Sequence, residues 1–270
     1  MKFKKENIVK KKALKFLRAI ADHIESNNKD DFGINGEERF LNDLANYYKK
    51  HNNLCVFDIG ANVGNYSKMV INKLNSRNIK YGLHLFEPTA GCFSELKNNF
   101  ENNRNIVLNN FALSDSEGNS SIFYDKEKSG LASLYKRELT KNNILNIEFN
   151  KSEKIELKRL DNYIEENNIE HIDFIKIDVE GHEINVFKGM GKILNSDFVD
   201  FMQFEYGGCN LDSMTNLMKI YELLRERKFI IFKVLPKYLE LRDYDTYMDN
   251  FSNANYVAIS NKVFKKIKGN

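Results

Sequence analysis

Short apolar runs alternate with helical patterns from residue 54 onward. The runs predict strands at residues 54–58, 81–87, 106–113, 174–178 and 198–205. Between and after them, apolar side chains recur every three or four positions, as on one face of a helix. These segments predict helices at residues 66–74, 92–101, 160–166, 183–190 and 221–227. The alternation predicts an α/β fold built on a mainly parallel sheet.

Two parts of the chain depart from this alternation. Residues 229–235 and 255–260 predict two late strands without a helix between them, which indicates an antiparallel end to the sheet. The interval 114–158 contains two extra strands and a polar loop, at residues 120–124, 154–157 and 129–133. We interpret this interval as an insertion over the mouth of the sheet, where it would form a substrate lid.

The first 50 residues predict two helices. An apolar stripe in residues 7–26 predicts a docking or partner-binding helix; it consists of Ile8, Ala13, Leu14, Leu17, Ile20, Ala21 and Ile24. A polar, glycine-containing stretch follows at residues 27–36. Residues 37–50 predict the second helix, with Phe40, Leu41, Leu44 and Tyr47 on one face. We therefore expect an N-terminal helical extension over residues 1–36 and a catalytic domain over residues 37–270.

The charge balance argues against a nucleic-acid partner. The chain has 41 lysine and arginine residues and 38 aspartate and glutamate residues. The net charge of +3 is too small to indicate the strongly positive surface that binds DNA or RNA. Most of the basic excess lies in two terminal clusters: Lys2, Lys4, Lys5, Lys10, Lys11, Lys12 and Lys15, and Lys262, Lys265, Lys266 and Lys268. We interpret both clusters as solvated tails, with a weak contact to an anionic surface as the alternative.

Cysteine usage and hydropathy indicate a reducing compartment. The three cysteines match neither a zinc spacing nor a disulfide framework. No apolar run approaches the length of a bilayer span, and the N-terminus lacks the features of a signal peptide. We expect a cytoplasmic protein without a membrane span.

A glycine turn joins the first predicted strand to the next helix. Gly60 and Gly64 allow a tight turn that brings backbone N–H groups and a helix N-terminus close to a ligand. The spacing, with Asn62 at the middle position, lacks the Gly-x-Gly-x-x-Gly pattern of dinucleotide sites. Asp58 would repel a diphosphate but would pair with the amino-acid end of a cationic sulfonium cofactor. The turn therefore predicts binding of S-adenosylmethionine.

Two more carboxylates follow the next predicted strands. Glu87 ends the second strand, where its two oxygens can accept hydrogen bonds from the vicinal hydroxyls of a ribose. That role suits NAD and S-adenosylmethionine equally. Asp115 follows the third strand and would reach an adenine amino group, or would instead cap the turn at residues 116–118.

The densest polar cluster follows the fourth predicted strand. Asp178, Glu180 and His182 can converge there because Gly181 lets the chain turn into the next helix. Methyl transfer to a hydroxyl requires a base, and His182 or Asp178 can serve. His182 as a simple helix-start residue is one alternative. A divalent metal bound by Asp178, Glu180 and Glu205 is another.

Four segments of the chain together resemble the FkbM family of S-adenosylmethionine-dependent methyltransferases. They are residues 56–64, 86–88, 112–115 and 175–183, and the resemblance extends over about residues 37–260. It implies a class I methyltransferase fold, which is Rossmann-like, with a seven-stranded sheet, helices on both faces and one antiparallel strand. It also implies O-methylation of hydroxyls on sugars, glycolipids or polyketides.

The resemblance assigns site residues by position. Cofactor-binding residues would be Asp58, Gly60, Asn62, Gly64, Glu87 and Asp115. Residues facing the acceptor would be Asp178, Glu180 and His182, without a bound metal.

We interpret the chain as an O-methyltransferase that acts on a sugar hydroxyl, in the biosynthesis of a bacterial surface polysaccharide or glycolipid. Its partners would be S-adenosylmethionine and a small-molecule or glycan acceptor. Methylation of another small molecule or of a protein is the nearest alternative. An NAD-dependent sugar-nucleotide oxidoreductase would need a diphosphate turn and a Tyr-x-x-x-Lys pair, and neither occurs where it is needed. A catalytically silent subunit that binds a partner through residues 7–26 is the third hypothesis.

Overall fold

The computed structural model describes residues 4–5, 7–51, 53–137 and 148–269. Lys2 and residues 138–147 of the predicted insertion lie outside the described residues. Helices α1 to α10 are Ile8–Ile24, Phe32–Asn35, Glu37–Tyr47, Asn65–Asn75, Ala90–Phe100, Leu160–Glu166, Glu183–Gly189, Cys209–Asp212, Leu217–Glu226 and Asn261–Lys268. Strands β1 to β11 are Leu54–Ile59, Tyr81–Phe86, Ile106–Asn109, Ala112–Leu113, Gly118–Tyr124, Lys151–Lys158, Ile172–Ile177, Val199–Tyr206, Phe229–Val234, Leu239–Leu241 and Ala254–Ser260.

The main sheet has the strand order β3-β2-β1-β7-β8-β11-β9-β10. Strands β1, β2, β3, β7 and β8 pair in parallel, and β11 lies antiparallel between β8 and β9. The α/β class and the antiparallel last strand are confirmed. The sheet has eight strands rather than seven because the short β10 folds back on β9. The carboxyl ends of the parallel strands meet at one edge, called the carboxyl edge below.

Helices cover both faces of the main sheet and form two apolar cores. On one face α3, α4, α5 and α10 contribute buried residues that include Phe40, Val70, Leu96 and Val263. On the other face α6, α7 and α9 contribute Leu160, Phe187, Ile220 and Leu224. Strands covered on both faces bury consecutive side chains, which explains their continuous apolar runs.

The predicted third strand, residues 106–113, is divided in the structure: β3 ends at Asn109, and a separate strand, β4, begins at Ala112. The Asn109 amide donates to the Leu85 carbonyl at 3.1 Å, and the Asn110 amide donates to the Glu87 carbonyl at 2.9 Å. These bonds tie the turn to the end of β2. Beyond the turn, β4 leaves the main sheet and joins a small sheet of order β4-β6-β5, built by the insertion.

The C-terminal lysine cluster is not a tail. It lies on α10, whose first turn is capped by Ser260 and which packs Val263 fully into the core. Lys265, Lys266 and Lys268 remain exposed on its outer surface. Among the helices of the described residues, none combines the length and apolar character needed to cross a bilayer.

Candidate active site

The turn after β1 has a backbone that only glycine permits at two positions. Gly60 has φ +86°, and a Cβ there would lie 1.9 Å from the carbonyl oxygen of Asp178. Gly64 has φ +87°, and a Cβ there would lie 2.3 Å from the Phe100 ring. The Asn62 amide donates to the Ser129 carbonyl at 3.0 Å and so joins the turn to the insertion. The glycine turn therefore packs against the end of β7 and against the insertion.

A cavity of about 310 Å³ opens at the carboxyl edge. The turn after β1, the end of β2, the insertion and the turn after β7 form its walls. Six of the predicted site residues line it: Gly60, Asn62, Glu87, Asp178, Glu180 and His182. Glu205, at the end of β8, lines it as well. The structure therefore places most of the residues predicted for cofactor and acceptor around one space.

Glu87 is held in the cavity wall by three hydrogen bonds. One carboxylate oxygen accepts from the Asn62 N–H at 2.9 Å, and the other accepts from the N–H and hydroxyl of Thr89, at 2.8 and 2.5 Å. Burial raises the pKa of Glu87 and these donors oppose that rise. The carboxylate thus fixes the glycine turn to the start of α5 while it borders the cavity.

Asp58 and Asp115 do not line the cavity. Asp58 is 2% exposed and lies beneath the glycine turn, where it accepts a hydrogen bond from the Ser67 hydroxyl on α4. Burial raises the pKa of Asp58 to about 6. Asp115 accepts from the hydroxyls of Ser114 and Ser116, at 3.2 and 3.5 Å. Gly64, at the end of the turn, is likewise outside the lining.

Three carboxylates converge on the acceptor side of the cavity. Oxygens of Asp178, Glu180 and Glu205 all lie within 4.8 Å of one another. Asp178 is 3.4 Å from the Lys176 ammonium, and Glu180 forms an ion pair with Arg137. Two of the three therefore have a cationic partner within the protein. Burial raises the pKa of both Glu180 and Glu205 above the ordinary value of a glutamate.

His182 is engaged at both ring nitrogens. Nε2 lies 2.9 Å from the Ser114 hydroxyl, whereas Nδ1 lies 2.9 Å from the Tyr135 hydroxyl and 3.2 Å from the Asn185 amide nitrogen. Because the amide nitrogen donates, Nδ1 accepts and the ring proton is on Nε2. Burial lowers the pKa of His182 to about 4, so the ring is neutral at pH 7. The neighbouring Glu183, 1% exposed, accepts from the Gly181 N–H and closes the turn after β7.

A buried polar network beneath the cavity was missed by sequence reasoning. Lys176, 2% exposed, places its ammonium 3.1 Å from the carboxylate of Glu37 on α3 and 3.1 Å from the side-chain oxygen of Asn255. Tyr66 donates to the amide oxygen of Gln203 at 2.6 Å. The signal available in the sequence was Lys176 itself, because a lysine inside an apolar strand needs a charged partner. Glu37, 139 residues away, carries no such signal.

The family model of the methyltransferase FkbM domain matches residues 58–231. The hexuronic acid methyltransferase AglP of Haloferax volcanii is 27% identical over 185 residues, which cover 65% of this chain and 69% of that protein.

Two solved structures are similar at low identity. Precorrin-6y C5,15-methyltransferase from Geobacter metallireducens aligns with a TM-score of 0.42 and 11% identity over 82% of this chain and 88% of its own. Fibrillarin from Aeropyrum pernix, solved with S-adenosyl-L-methionine, aligns with a TM-score of 0.39 and 10% identity over 76% of this chain and 65% of its own.

Proposed function

This chain belongs to the FkbM family of methyltransferases, and on that premise we propose that it transfers a methyl group from S-adenosylmethionine to a hydroxyl of a sugar. The observation that carries the proposal is the single cavity that brings the glycine turn and Glu87 together with Asp178, Glu180 and Glu205. The family relative from Haloferax volcanii is named for action on a hexuronic acid, which supports a sugar as the acceptor class.

Charge supports a cationic cofactor at this site. Four acidic side chains, Glu87, Asp178, Glu180 and Glu205, lie in the cavity wall, and no lysine or arginine is among the described residues that line it. A sulfonium with an adjacent ammonium group is attracted by such a wall, whereas the diphosphate of a dinucleotide is repelled. When bound, S-adenosylmethionine supplies a methyl group on a cationic sulfur.

Each cofactor-binding residue receives a role from its position. The backbone of Gly60 and Asn62 borders the cofactor, and Glu87 accepts hydrogen bonds from the ribose hydroxyls. Asp58 and Gly64 act from outside the cavity by fixing the turn. Phe111 and Leu113 form the apolar wall that would face the adenine, and Asp115 follows Leu113 by two residues in the chain.

Asp178 is the proposed base. Its side chain is 35% exposed and reaches the cavity, and its ion-pair partner Lys176 leaves carboxylate lone pairs available. His182 borders the same space, but both of its nitrogens are bonded to protein groups. We therefore assign proton removal to Asp178 and positioning of the turn after β7 to His182. Glu180 and Glu205 accept hydrogen bonds from neighbouring sugar hydroxyls.

The acceptor is best sought among the sugars of bacterial surface polysaccharides and glycolipids. The carboxylates of the cavity would repel an acidic group placed against them, so a hydroxyl must face Asp178 even when the sugar is a uronic acid. The test is incubation with methyl-labelled S-adenosylmethionine and a panel of neutral and uronic-acid glycosides. The proposal requires label in a sugar O-methyl ether, detected by NMR. Label in protein or nucleotide instead would refute it.

Replacing Glu87 by glutamine should weaken the binding of S-adenosylhomocysteine by at least about tenfold, or about 1.4 kcal/mol. Glutamine has an NH2 group in place of one carboxylate oxygen, and this group cannot accept a hydrogen bond. The variant therefore loses an acceptor for the ribose and a hydrogen bond from Asn62 or Thr89. Isothermal titration measures the effect. Glu153→Gln is the matched control, because this nearby carboxylate on β6 is outside the cavity lining.

The same titration distinguishes the cofactors. Wild-type protein is expected to bind S-adenosylhomocysteine and not NAD. Unchanged affinity in Glu87→Gln would remove the ribose assignment, and binding of NAD would favour an oxidoreductase.

Chelation by EDTA should change turnover by less than about twofold, because charge compensation in the carboxylate cluster comes from Lys176 and Arg137. The measurement is the initial rate of methyl transfer with and without the chelator. Complete loss of activity that magnesium restores would instead assign a metal to Asp178, Glu180 and Glu205.

A further inference from the structure

Helix α1 exposes a continuous apolar face. None of its residues is buried, and its large apolar side chains are 41–74% exposed. Val9, Ala13, Phe16, Leu17, Ile20 and Ile24 are spaced by three and four positions and form one arc of the helix. The helix is well defined at its start, where the Asn7 side chain caps it by accepting from the Val9 N–H at 2.9 Å. A long apolar arc that is exposed in this way is typical of a surface that binds a partner.

Charge indicates what that partner is. Residues 4–25 carry seven basic side chains, Lys4, Lys5, Lys10, Lys11, Lys12, Lys15 and Arg18, against three acidic ones, Glu6, Asp22 and Glu25. Glu25 is already paired with Lys233 and Arg242. Lys10 and Lys12 border the apolar arc on either side. A basic amphipathic helix of this pattern matches an anionic lipid surface.

The polar side of α1 faces the body of the protein. Arg18 donates to the Asn250 carbonyl at 2.6 Å from the side of the helix opposite the apolar arc. The chain after the helix is tied down by paired bonds between Asn28 and Asn253, at 2.8 and 2.9 Å. Asn253 also accepts from the Gly208 N–H at 3.1 Å, just beyond the carboxyl end of β8. Helix α1 is therefore anchored at the carboxyl edge with its apolar arc directed outward.

We propose that α1 docks the protein on a bilayer of anionic lipids. The apolar arc enters the interfacial region of the bilayer, and the bordering lysines contact the lipid headgroups. Docking brings the carboxyl edge to the membrane, and Phe32 connects the segment after α1 to the cavity wall. If the proposed function holds, the acceptor sugar is carried on a lipid. The extension over residues 1–36 then serves as the membrane-binding part, and residues 37–270 carry out the transfer.

A second copy of the chain is a poorer occupant. Two copies of α1 packed along their apolar arcs would place lysines of like charge along the same seam, and their repulsion opposes the contact. Anionic lipid headgroups relieve the same repulsion. Dimerisation through α1 is one outcome of the experiment below.

The test is sedimentation of the full-length protein with vesicles of phosphatidylcholine, with and without 30% phosphatidylglycerol. We expect binding to the anionic vesicles only, and its loss at high salt. Lys10→Gln/Lys12→Gln should weaken it by about 25-fold, since each lysine near an anionic surface contributes about fivefold. Phe16→Gln/Leu17→Gln/Ile20→Gln should abolish it. Because α1 buries no side chain, thermal unfolding should be unchanged in both variants.

Lys265→Gln/Lys266→Gln is the matched control. It removes the same charge from α10, which follows β11 at the opposite edge of the sheet, and should leave vesicle binding intact. Equal binding by wild type and the apolar variant would overturn the proposal. So would sensitivity of the α10 variant alone, or a wild-type protein that ignores vesicles and dimerises through α1 in sedimentation velocity. Vesicle binding requires no turnover, so it is decided independently of the proposed function.

Discussion

Asparagine in place of Asp178 is expected to lower kcat by roughly 100- to 10,000-fold, the range that a positioned general base supplies. The substitution keeps the shape of the side chain but removes its capacity to take a proton. Lys176 keeps Glu37 as an ionic partner, so the fold should survive. Initial rates of methyl transfer to a sugar acceptor measure the loss, and titration with S-adenosylhomocysteine checks that the cofactor site is intact.

Two comparison variants make this result specific. Glu205→Gln makes the same chemical change within 4.8 Å of Asp178 and should raise KM more than it lowers kcat, because Glu205 is assigned to acceptor binding. His182→Gln preserves a side chain that can bond with Ser114 and Tyr135 and should lose less than about tenfold in kcat. A large loss in His182→Gln together with an active Asp178→Asn would transfer the role of base to the imidazole.

The acid limb of a pH profile provides a further check on His182. Burial lowers its pKa to about 4, so the imidazole remains neutral throughout the range from pH 5 to pH 8. A titration of activity within that range therefore reports on another group.

The sequence predicted those parts of the fold that depend on local patterns. Strands covered on both faces gave continuous apolar runs, and the glycine turn followed from spacing because Gly60 and Gly64 need positive φ. The turn after β7 could be predicted for a similar reason. Gly181, at φ +99°, brings the chain close to Cys209 and lets Glu180 and His182 border one cavity with Asp178.

The parts that were missed depend on contacts between distant residues. The turn after Asn109 separates β3 from β4. It is fixed by hydrogen bonds to the end of β2, and no local sequence pattern marks it. Strand β10 has three residues and exists because β9 offers a free edge. The pairing of Arg137 with Glu180 joins the insertion to the catalytic turn, which sequence spacing alone does not reveal. Ion pairs between residues that are distant in the sequence could therefore be identified only from the structure.

The buried ion pair beneath the cavity leads to the second large prediction. Lys176→Met should lower the free energy of unfolding by about 3–5 kcal/mol, because it leaves the Glu37 carboxylate buried without its cation. Burial alone would lower the pKa of Lys176, but Glu37 and Asp178 raise it above its ordinary value, so the ammonium is charged in the folded protein. Urea unfolding measures the change. Combining Lys176→Met with Glu37→Gln should cost less than the sum of the single variants.

Lys233→Met is the matched control for this prediction, since Lys233 is also a buried lysine paired with a glutamate, on β9 and outside the cavity lining. Both methionine variants should be less stable. At a temperature where each remains folded, only Lys176→Met should also lower kcat, because Lys176 holds Asp178 at 3.4 Å. Equal loss of kcat in the two variants would mean that turnover follows global stability. Normal kcat in Lys176→Met would show that Asp178 needs no positioning by the lysine.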